Sequence, residues 1–341
     1  MRKKLVVLLV ISILSVTGIQ QASITLQKAA IVRKEQMPIN TEEIPINEEE
    51  ALKQPYIPII VKALESGIWN PALEGMANAA EDYGIQITFE GTQRGAEVQE
   101  QLDIIETALA RNPQAIILSA LDSSAVRPYL ESAQAAGIPV IGLDSGVDSP
   151  IVRTTVATDN YEAAVLAAEK MAELIGGEGK VGLIVLDRTS KVGIDRADGF
   201  TDTMRINYPN IEVLPVQYGE GSLEMSKEAA MNMLLENPDL KGIFGANEDS
   251  SIGIAEAVRE LNREDEITIV GFDAGRVAQA IREGIITGAI AQNPREMGYR
   301  VVEAANWAYQ GLRLPEFINT GFIWYDRNNI DTPEVQEIIY E

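Results

Sequence analysis

The sequence predicts an α/β fold in which two doubly wound parallel sheets form two lobes joined by a hinge. From Tyr56 onward, short apolar runs alternate with longer segments of helical periodicity. This pattern is typical of parallel strands with helices on both faces of the sheet. Four or five such units run to about Thr158, and about five more follow. Because a single core rarely grows beyond about 250–300 residues, two lobes fit the pattern better than one long sheet.

The predicted elements of the first half alternate strictly. Each strand is a short apolar run, and each helix repeats apolar residues at helical spacing. Gly84 closes the first helix, as a C-terminal cap does. The strands are predicted at 56–64, 85–91, 115–121 and 138–144, and the helices at 69–84, 97–112, 124–137 and 161–177.

The second half repeats the unit. Its glycine-rich segment 176–182 lies between a helix and a strand, whereas phosphate-binding loops connect a strand to the following helix, so we interpret it as a turn. The strands are predicted at 180–187, 211–218, 240–247, 267–273 and 286–292, and the helices at 193–209, 226–238, 251–262, 275–284 and 295–311.

Composition excludes several classes of function. A net charge of −23 disfavours non-specific binding to nucleic acid or to an anionic membrane. The chain contains no cysteine and no histidine. Thiolate chemistry, cysteine-based zinc sites and histidine-containing catalytic triads are therefore excluded. We expect a binding protein that needs no cofactor rather than an enzyme.

The N-terminus has the pattern of an export signal. Three basic residues at 2–4 precede an apolar run at 5–16, and Gly18 offers a weak cleavage site. Residues 1–19 are therefore interpreted as a signal peptide or, if they are retained, as an N-terminal anchor. Residues 20–54 lack a sustained apolar period and are predicted to be a linker. In both cases the folded part lies outside the cytoplasm.

Polar residues end several predicted strands, and the carboxyl ends of parallel strands share one crevice where ligands bind. Asp122 and Asp187 precede helices, so we assign them to helix capping. Asp144 and Asp273 differ because each precedes a glycine-containing turn. The full set of polar strand ends is Lys62, Asp122, Asp144, Asp187, Asn247, Asp273 and Gln292.

A ligand with several hydroxyl groups fits the residues that remain. Arg196 begins a helix and can reach inward, and Trp69 follows the first strand, where its ring can line the crevice. Carboxylates and arginine bind neighbouring hydroxyls in pairs, and the apolar face of a sugar stacks on an aromatic ring. Each charge-assisted hydrogen bond contributes on the order of 1.5–3 kcal/mol.

The chain resembles the periplasmic sugar-binding proteins of ABC transporters, of the ribose-binding type. The resemblance covers about residues 56–328, and its motifs stand in the family's order and spacing. These motifs are "EGMANAAEDYGI", "ALDSSAV", "AAGIPVIGLDS", "ATDN", "IDRADGF", "GIFGANED", "IVGFDAG" and "GAIAQNPREMGY".

The resemblance implies a ligand-binding set, with some departures from the family. The tandem aromatics of the family fall on Ile68 and Trp69, so one aromatic is absent. Lys62 stands where a small polar residue is usual, and Ser145 replaces an arginine. The complete predicted set of ligand-binding residues is Lys62, Ser66, Trp69, Asp144, Ser145, Asp195, Arg196, Asn247, Asp273 and Gln292.

The resemblance also implies the organisation and the function. The N-terminal lobe is predicted at 55–158 and 293–321, and the C-terminal lobe at 159–292 and 322–341, with closure by a hinge. We expect a monomer that captures a monosaccharide, or a related polyol or sugar acid, and delivers it to an ABC permease. The alternative is a tethered sensory receptor for a sugar or a furanosyl autoinducer, because Lys62, Asp144 and Asp195 also resemble binders of that ligand.

Overall fold

The computed structural model describes residues 24–26, 55–93 and 97–340, which contain two sheets flanked by helices. The predicted α/β fold with two largely parallel sheets is confirmed. The first sheet consists of β1 (Ile24–Leu26), β2 (Tyr56–Val61), β3 (Gln86–Gly91), β4 (Ile116–Leu118), β5 (Val140–Leu143), β6 (Val152–Ala157) and β13 (Phe317–Asn319). Its spatial order is β1–β3–β2–β4–β5–β6–β13; β1 pairs antiparallel with β3, and the other described pairs of this sheet are parallel.

The second sheet has its own doubly wound order. It consists of β7 (Gly179–Val185), β8 (Ile211–Val213), β9 (Gln217–Tyr218), β10 (Leu240–Gly245), β11 (Thr268–Phe272), β12 (Gly288–Gln292) and β14 (Phe322–Asp326). The order is β14–β12–β11–β10–β7–β8, with β9 also beside β7. β14 pairs antiparallel with β12, and the other described pairs are parallel.

Helices cover both faces of each sheet, as the alternating pattern predicts. The helices are α1 (Trp69–Tyr83), α2 (Val98–Ala110), α3 (Arg127–Ala135), α4 (Asn160–Ile175), α5 (Lys191–Asn207), α6 (Leu223–Glu236), α7 (Glu248–Glu260), α8 (Arg276–Glu283), α9 (Pro294–Tyr309) and α10 (Pro333–Ile338). Gly84 ends α1 in the left-handed conformation, at φ 65°. None of the helices in the described ranges is long and apolar enough to cross a membrane.

The chain passes between the two sheets three times. It leaves the first sheet after Ala157, returns from the second sheet after Gln292, and leaves again between Asn319 and Phe322. Elements on the first sheet are called the first lobe below, and elements on the second sheet the second lobe. These crossings form a three-stranded hinge with the crevice beside it.

Close helix packing holds the first lobe together. Gly75 of α1 and Gly298 of α9 face the opposite helix, and a Cβ at Gly298 would lie 1.9 Å from the carbonyl oxygen of Ala72. Only glycine permits this approach of the two backbones.

In the second lobe, the rings of Phe200 and Phe244 stack at 4.9 Å between centroids.

The structure differs from the predicted secondary structure at several elements, and β13, β14 and α10 at the C-terminal end were not predicted. Segment 211–218 forms two short strands rather than one, because Pro215 cannot donate to the ladder. β6 was not predicted, since its "VRTTVA" sequence is half polar. Residues 24–26, within the predicted linker, pair with β3. The predicted export segment 1–19 lies outside the described residues.

Candidate ligand-binding cleft

A cavity of about 110 Å³ lies between the lobes, at the carboxyl ends of strands from both sheets. This is the edge at which doubly wound sheets bind ligands. The lining residues are Lys62, Ala63, Ser66, Ile68, Trp69, Asp144, Leu186, Asp187, Val192, Arg196, Gly221, Asn247, Asp249, Asp273 and Gln292. Eight of the ten side chains in the predicted set belong to this lining; Ser145 and Asp195 do not.

Asp144 and Asp273 occupy equivalent positions in the two lobes. Each follows the last residue of a strand and has a left-handed backbone, with φ of 55° and 76°. The backbone N–H of Asp144 donates to Val156 at 2.9 Å, and that of Asp273 donates to Ile290 at 2.8 Å. The neighbouring strand thus fixes each turn, and the turn presents the carboxylate to the cleft.

Lys62 and Asp144 form an ion pair on the first-lobe wall. The Lys62 Nζ lies 3.6 Å from the Asp144 Oδ2, and their side chains are only 11% and 9% exposed. At this distance the pair is electrostatic rather than a hydrogen bond. Both groups therefore keep hydrogen-bonding capacity that a ligand can use.

Arg196 is buried on the second-lobe wall. Its Nε donates to the Asn160 Oδ1 at 2.8 Å, and its Nη1 donates to the carbonyl of Ala246 at 2.7 Å. The guanidinium carbon lies 3.6 Å from the ring centroid of Phe272. Burial lowers the pKa of Arg196, and the carboxylate of Asp273 opposes that effect. These contacts fix the guanidinium in place, and no described protein group accepts from its Nη2.

Asp273 and Gln292 form a second polar pair. The Gln292 Nε2 donates to the Asp273 Oδ1 at 2.6 Å, and the backbone N–H of Glu248 donates to the Asp273 Oδ2 at 3.2 Å. Burial raises the pKa of Asp273, which the charge of Arg196 opposes. The Gln292 Oε1 is buried and accepts no hydrogen bond from the described part of the chain. Since buried polar atoms are rarely left unpaired, this oxygen has the capacity to accept a further hydrogen bond.

Asn247 and Trp69 each serve the fold and line the cavity. Asn247 caps α7, because its Oδ1 accepts from the Ser250 N–H at 3.2 Å. The Trp69 indole N–H donates to the Ala63 carbonyl at 2.7 Å, and its ring meets Phe89 edge-on at 6.0 Å. Trp69 therefore lines the cavity as part of the first-lobe core.

Ser145 and Asp195 do not line the cavity. Each is next in sequence to a residue that does, and neighbouring side chains point in different directions on a turn or a helix. Ser145 is fully buried, and its hydroxyl has no hydrogen-bond partner among the described residues. Asp195 pairs instead with Lys191 at 2.8 Å. Both residues were predicted from a resemblance, which does not fix the direction of a side chain.

Two acidic residues outside the predicted set also line the cavity. Asp187 does not cap α5 as predicted, because Ser190 is the N-cap of that helix; Asp187 accepts from the backbone N–H of Ser190 at 2.7 Å in the preceding loop and faces the cleft. Its position at the end of a strand was the available indication. Asp249 lies in the first turn of α7 and pairs with Arg276 at 2.6 Å. Asp122 does not cap α3 as predicted, because that helix begins at Arg127; Asp122 accepts from the backbone N–H of Ser124 at 2.8 Å in the turn before it.

The acidic residues of the cleft do not assemble a metal site. Among the described residues, no group of three or more acidic side chains is placed to hold a metal ion. The cleft instead combines hydrogen-bonding groups of both charges with a small apolar surface from Ile68, Leu186 and Val192. This combination is suited to a small polar molecule with an apolar face.

Two lobes, three crossings and a polar cavity between the lobes define a solute-binding protein of the hinged type. The family model of the periplasmic binding protein domain matches residues 57–312, and the chain belongs to this family. The family is one of binding proteins rather than enzymes.

Relatives of known function support the same class. The chain is 25% identical over 268 residues to the ribose import binding protein of Bacillus subtilis (strain 168), covering 78% of this chain and 86% of the relative. It is 29% identical over 234 residues to a D-apiose import binding protein of Actinobacillus succinogenes, covering 68% of this chain and 73% of the relative.

Solved structures of similar proteins support the same class of protein. An ABC transporter solute-binding protein from Agrobacterium vitis with bound D-fucose superimposes with a TM-score of 0.80 at 29% identity, covering 84% of this chain and all of that chain. A carbohydrate-transporter solute-binding protein from Agrobacterium radiobacter in complex with D-arabinose gives a TM-score of 0.79 at 27% identity, covering 85% and 100%.

Proposed function

We propose that this protein captures a monosaccharide, or a related polyol or sugar acid, between its lobes outside the cytoplasm and delivers it to an ABC permease. The observation that supports this most is the cavity itself. Side chains far apart in sequence, from Lys62 to Gln292, line one space that both lobes enclose. A ligand that contacts both walls stabilises the closed arrangement of the lobes, which gives the permease a state to recognise.

The balance of charge in the cleft favours an uncharged sugar over a sugar acid. On the first wall Lys62 faces Asp144, and on the second wall Arg196 lies near Asp273. Asp249 is neutralised by Arg276 outside the cavity, and Asp187 adds a further negative charge to the lining. An additional carboxylate on the ligand would lack a cation of its own and would be costly to bury.

The names of relatives narrow the choice of test ligands. Relatives include import binding proteins for ribose and apiose, and structural neighbours hold D-fucose, D-arabinose and D-tagatopyranose. These ligands share a five- or six-carbon skeleton with several hydroxyl groups. Three or four charge-assisted hydrogen bonds are enough for micromolar binding after the costs of association.

Isothermal titration calorimetry against these five sugars tests the proposal, with D-gluconate as a charged comparison. We expect a dissociation constant of about 1 μM or lower for at least one neutral sugar, and much weaker binding of D-gluconate. The matched control is Asp198→Ala, which removes an exposed carboxylate of α5 away from the cavity. If neither the five sugars nor a wider set of polyols binds, the protein is not a sugar receptor.

Export is the second part of the proposal. Residues 1–19 carry the basic and apolar pattern of an export segment. N-terminal sequencing of the secreted protein distinguishes cleavage from anchoring. A mature start near residue 19 supports a released receptor, whereas an intact first residue supports an anchored one. We propose that the receptor acts as a monomer, and sedimentation analysis tests this.

A further inference from the structure

The C-terminal end of the chain reaches both lobes through a single side chain. α10 and Ile339 pack into the apolar core of the second lobe. The backbone N–H of Gly275 donates to the carbonyl of Tyr340 at 2.9 Å, which holds this residue to the second lobe. The ring of Tyr340 also packs against the first-lobe core cluster that contains Trp69. Tyr340 thus contacts the cores of both lobes.

The ring lies between two glycines on opposite lobes. A Cβ added at Gly67 in the first lobe would lie 3.6 Å from the Tyr340 Cε2, and one added at Gly275 in the second lobe would lie 3.4 Å from the same atom. Gly67 also lies close to Glu248 of the second lobe. A Cβ added at Gly67 would lie 3.1 Å from the Glu248 Oε2. These contacts exist only while the lobes are close together.

The position of Tyr340 relates it to the candidate ligand site. Gly275, which donates a hydrogen bond to Tyr340, lies two residues after Asp273. Gly67 lies between the cavity-lining residues Ser66 and Ile68. Burial raises the pKa of the Tyr340 hydroxyl well above its ordinary value, and the charge of Asp273 adds to this. Its hydroxyl oxygen is buried, and the backbone N–H of Ala274 lies close to it.

We infer that Tyr340 is a ligand-positioning residue, which acts by packing between Gly67 and Gly275 when the lobes close. Its contribution is apolar ring contact, because the atom that lies against Gly67 and Gly275 is the ring carbon Cε2. Tyr340 lies beyond the matched family region 57–312, so the family match does not assign it a role. The inference rests on the proposed function only in that closure is what the ligand requires.

The test measures closure directly and without ligand. Because the chain has no cysteine, Gln134→Cys on α3 and Glu228→Cys on α6 accept one spin label each at exposed positions on the two lobes. The distance between the labels is measured in the parent, in Tyr340→Ala and in Tyr340→Phe. Tyr309→Ala, which removes an exposed tyrosine from α9, is the matched control.

We expect Tyr340→Ala to shift the distances toward a more open population, whereas Tyr340→Phe and Tyr309→Ala keep the parental distribution. For any sugar that the calorimetric panel identifies, the apparent dissociation constant should rise about 5- to 10-fold in Tyr340→Ala and stay within about twofold in Tyr340→Phe, since affinity scales with the competent fraction.

Three results would overturn the inference. In the first, Tyr340→Ala keeps the label distances and the sugar affinity of the parent. In the second, Tyr340→Phe opens the lobes as much as Tyr340→Ala does. In the third, Tyr340→Ala lowers the melting temperature but leaves the label distances unchanged. If no sugar binds, the proposed function fails, but the distances without ligand still decide the role of Tyr340.

Discussion

Lys62 and Asp144 face each other across 3.6 Å on the first-lobe wall, and both side chains are about nine-tenths buried. The pair places a cation and an anion beside the space that the ligand occupies. Neither group has a second ionic partner in the described residues. Each is therefore available to hydrogen-bond a ligand hydroxyl while the other balances its charge.

Asp144→Asn should weaken sugar binding by about 1.5–3 kcal/mol, or roughly 10- to 150-fold. The substitution removes a charge-assisted acceptor and leaves the Lys62 ammonium without its counter-ion. Calorimetry of parent and variant measures the change, with Asp198→Ala as the exposed control. An affinity within about twofold of the parent would exclude Asp144 from the ligand contacts.

A double-mutant cycle should show that Lys62 and Asp144 are coupled in stability. Lys62→Met should lower the free energy of unfolding by about 1–3 kcal/mol, because it leaves a buried carboxylate without compensation. Adding Asp144→Asn removes that carboxylate and should recover part of the loss, with a coupling of about 0.5–3 kcal/mol. Urea unfolding of the four proteins measures it. Strict additivity of the two single changes would show that the pair is not coupled.

Gln292→Glu should make stability depend on pH. The introduced carboxylate would lie against Asp273, whose pKa burial already raises, and the two cannot both ionise cheaply. The raised pKa in the folded state means that the penalty is largest above that pKa and is relieved as the pH falls through it. The variant should therefore lose more stability than the parent between pH 5 and pH 7.5.

Gln292→Met is the matched control for this experiment. It removes the hydrogen bond to Asp273 without adding charge, so its stability relative to the parent should change less with pH. Urea unfolding at both pH values gives the comparison. Equal pH dependence in Gln292→Glu and Gln292→Met would show that residue 292 does not interact with the carboxylate of Asp273.

Gly298→Ala should destabilise the fold without acting on the ligand directly. Its Cβ would lie 1.9 Å from the carbonyl oxygen of Ala72, so α1 and α9 must separate, at a cost of about 1–3 kcal/mol. Chemical unfolding measures the loss, and Asn70→Ala on the exposed side of α1 is the control. We expect sugar affinity within about twofold of the parent. Unchanged stability would mean that the helices are less closely packed than the structure shows.

Much of the fold was predictable from local sequence patterns. Strands such as β7 and β11 are continuous apolar runs, and their spacing along the chain predicts parallel sheets. Asp144 and Asp273 were predicted as cleft residues from their positions at strand ends. Each carboxylate follows a buried strand and precedes a glycine-containing turn. Neither stands directly before a helix that it could cap. The half-polar β6 and the strand pair around Pro215 lacked that regular pattern.

The remaining site residues depend on long-range geometry. Ser145 and Asp195 are neighbours of true lining residues, and a difference of one position turns the side chain away. Tyr340 contacts the first lobe only because the C-terminal segment packs on the second lobe and meets Gly67, which is far away in sequence. No periodicity in the sequence near residue 340 indicates that contact.

The left-handed backbone at Asp144 and Asp273 limits how this protein can be re-engineered. Most side chains clash with the backbone at positive φ, and β-branched residues are excluded most strongly, whereas Asn, Asp and Gly tolerate it. Libraries that aim at new sugar preferences should therefore sample only those three amino acids at the two positions. Diversity is better introduced at neighbours with ordinary torsion angles, such as Leu186 and Val192.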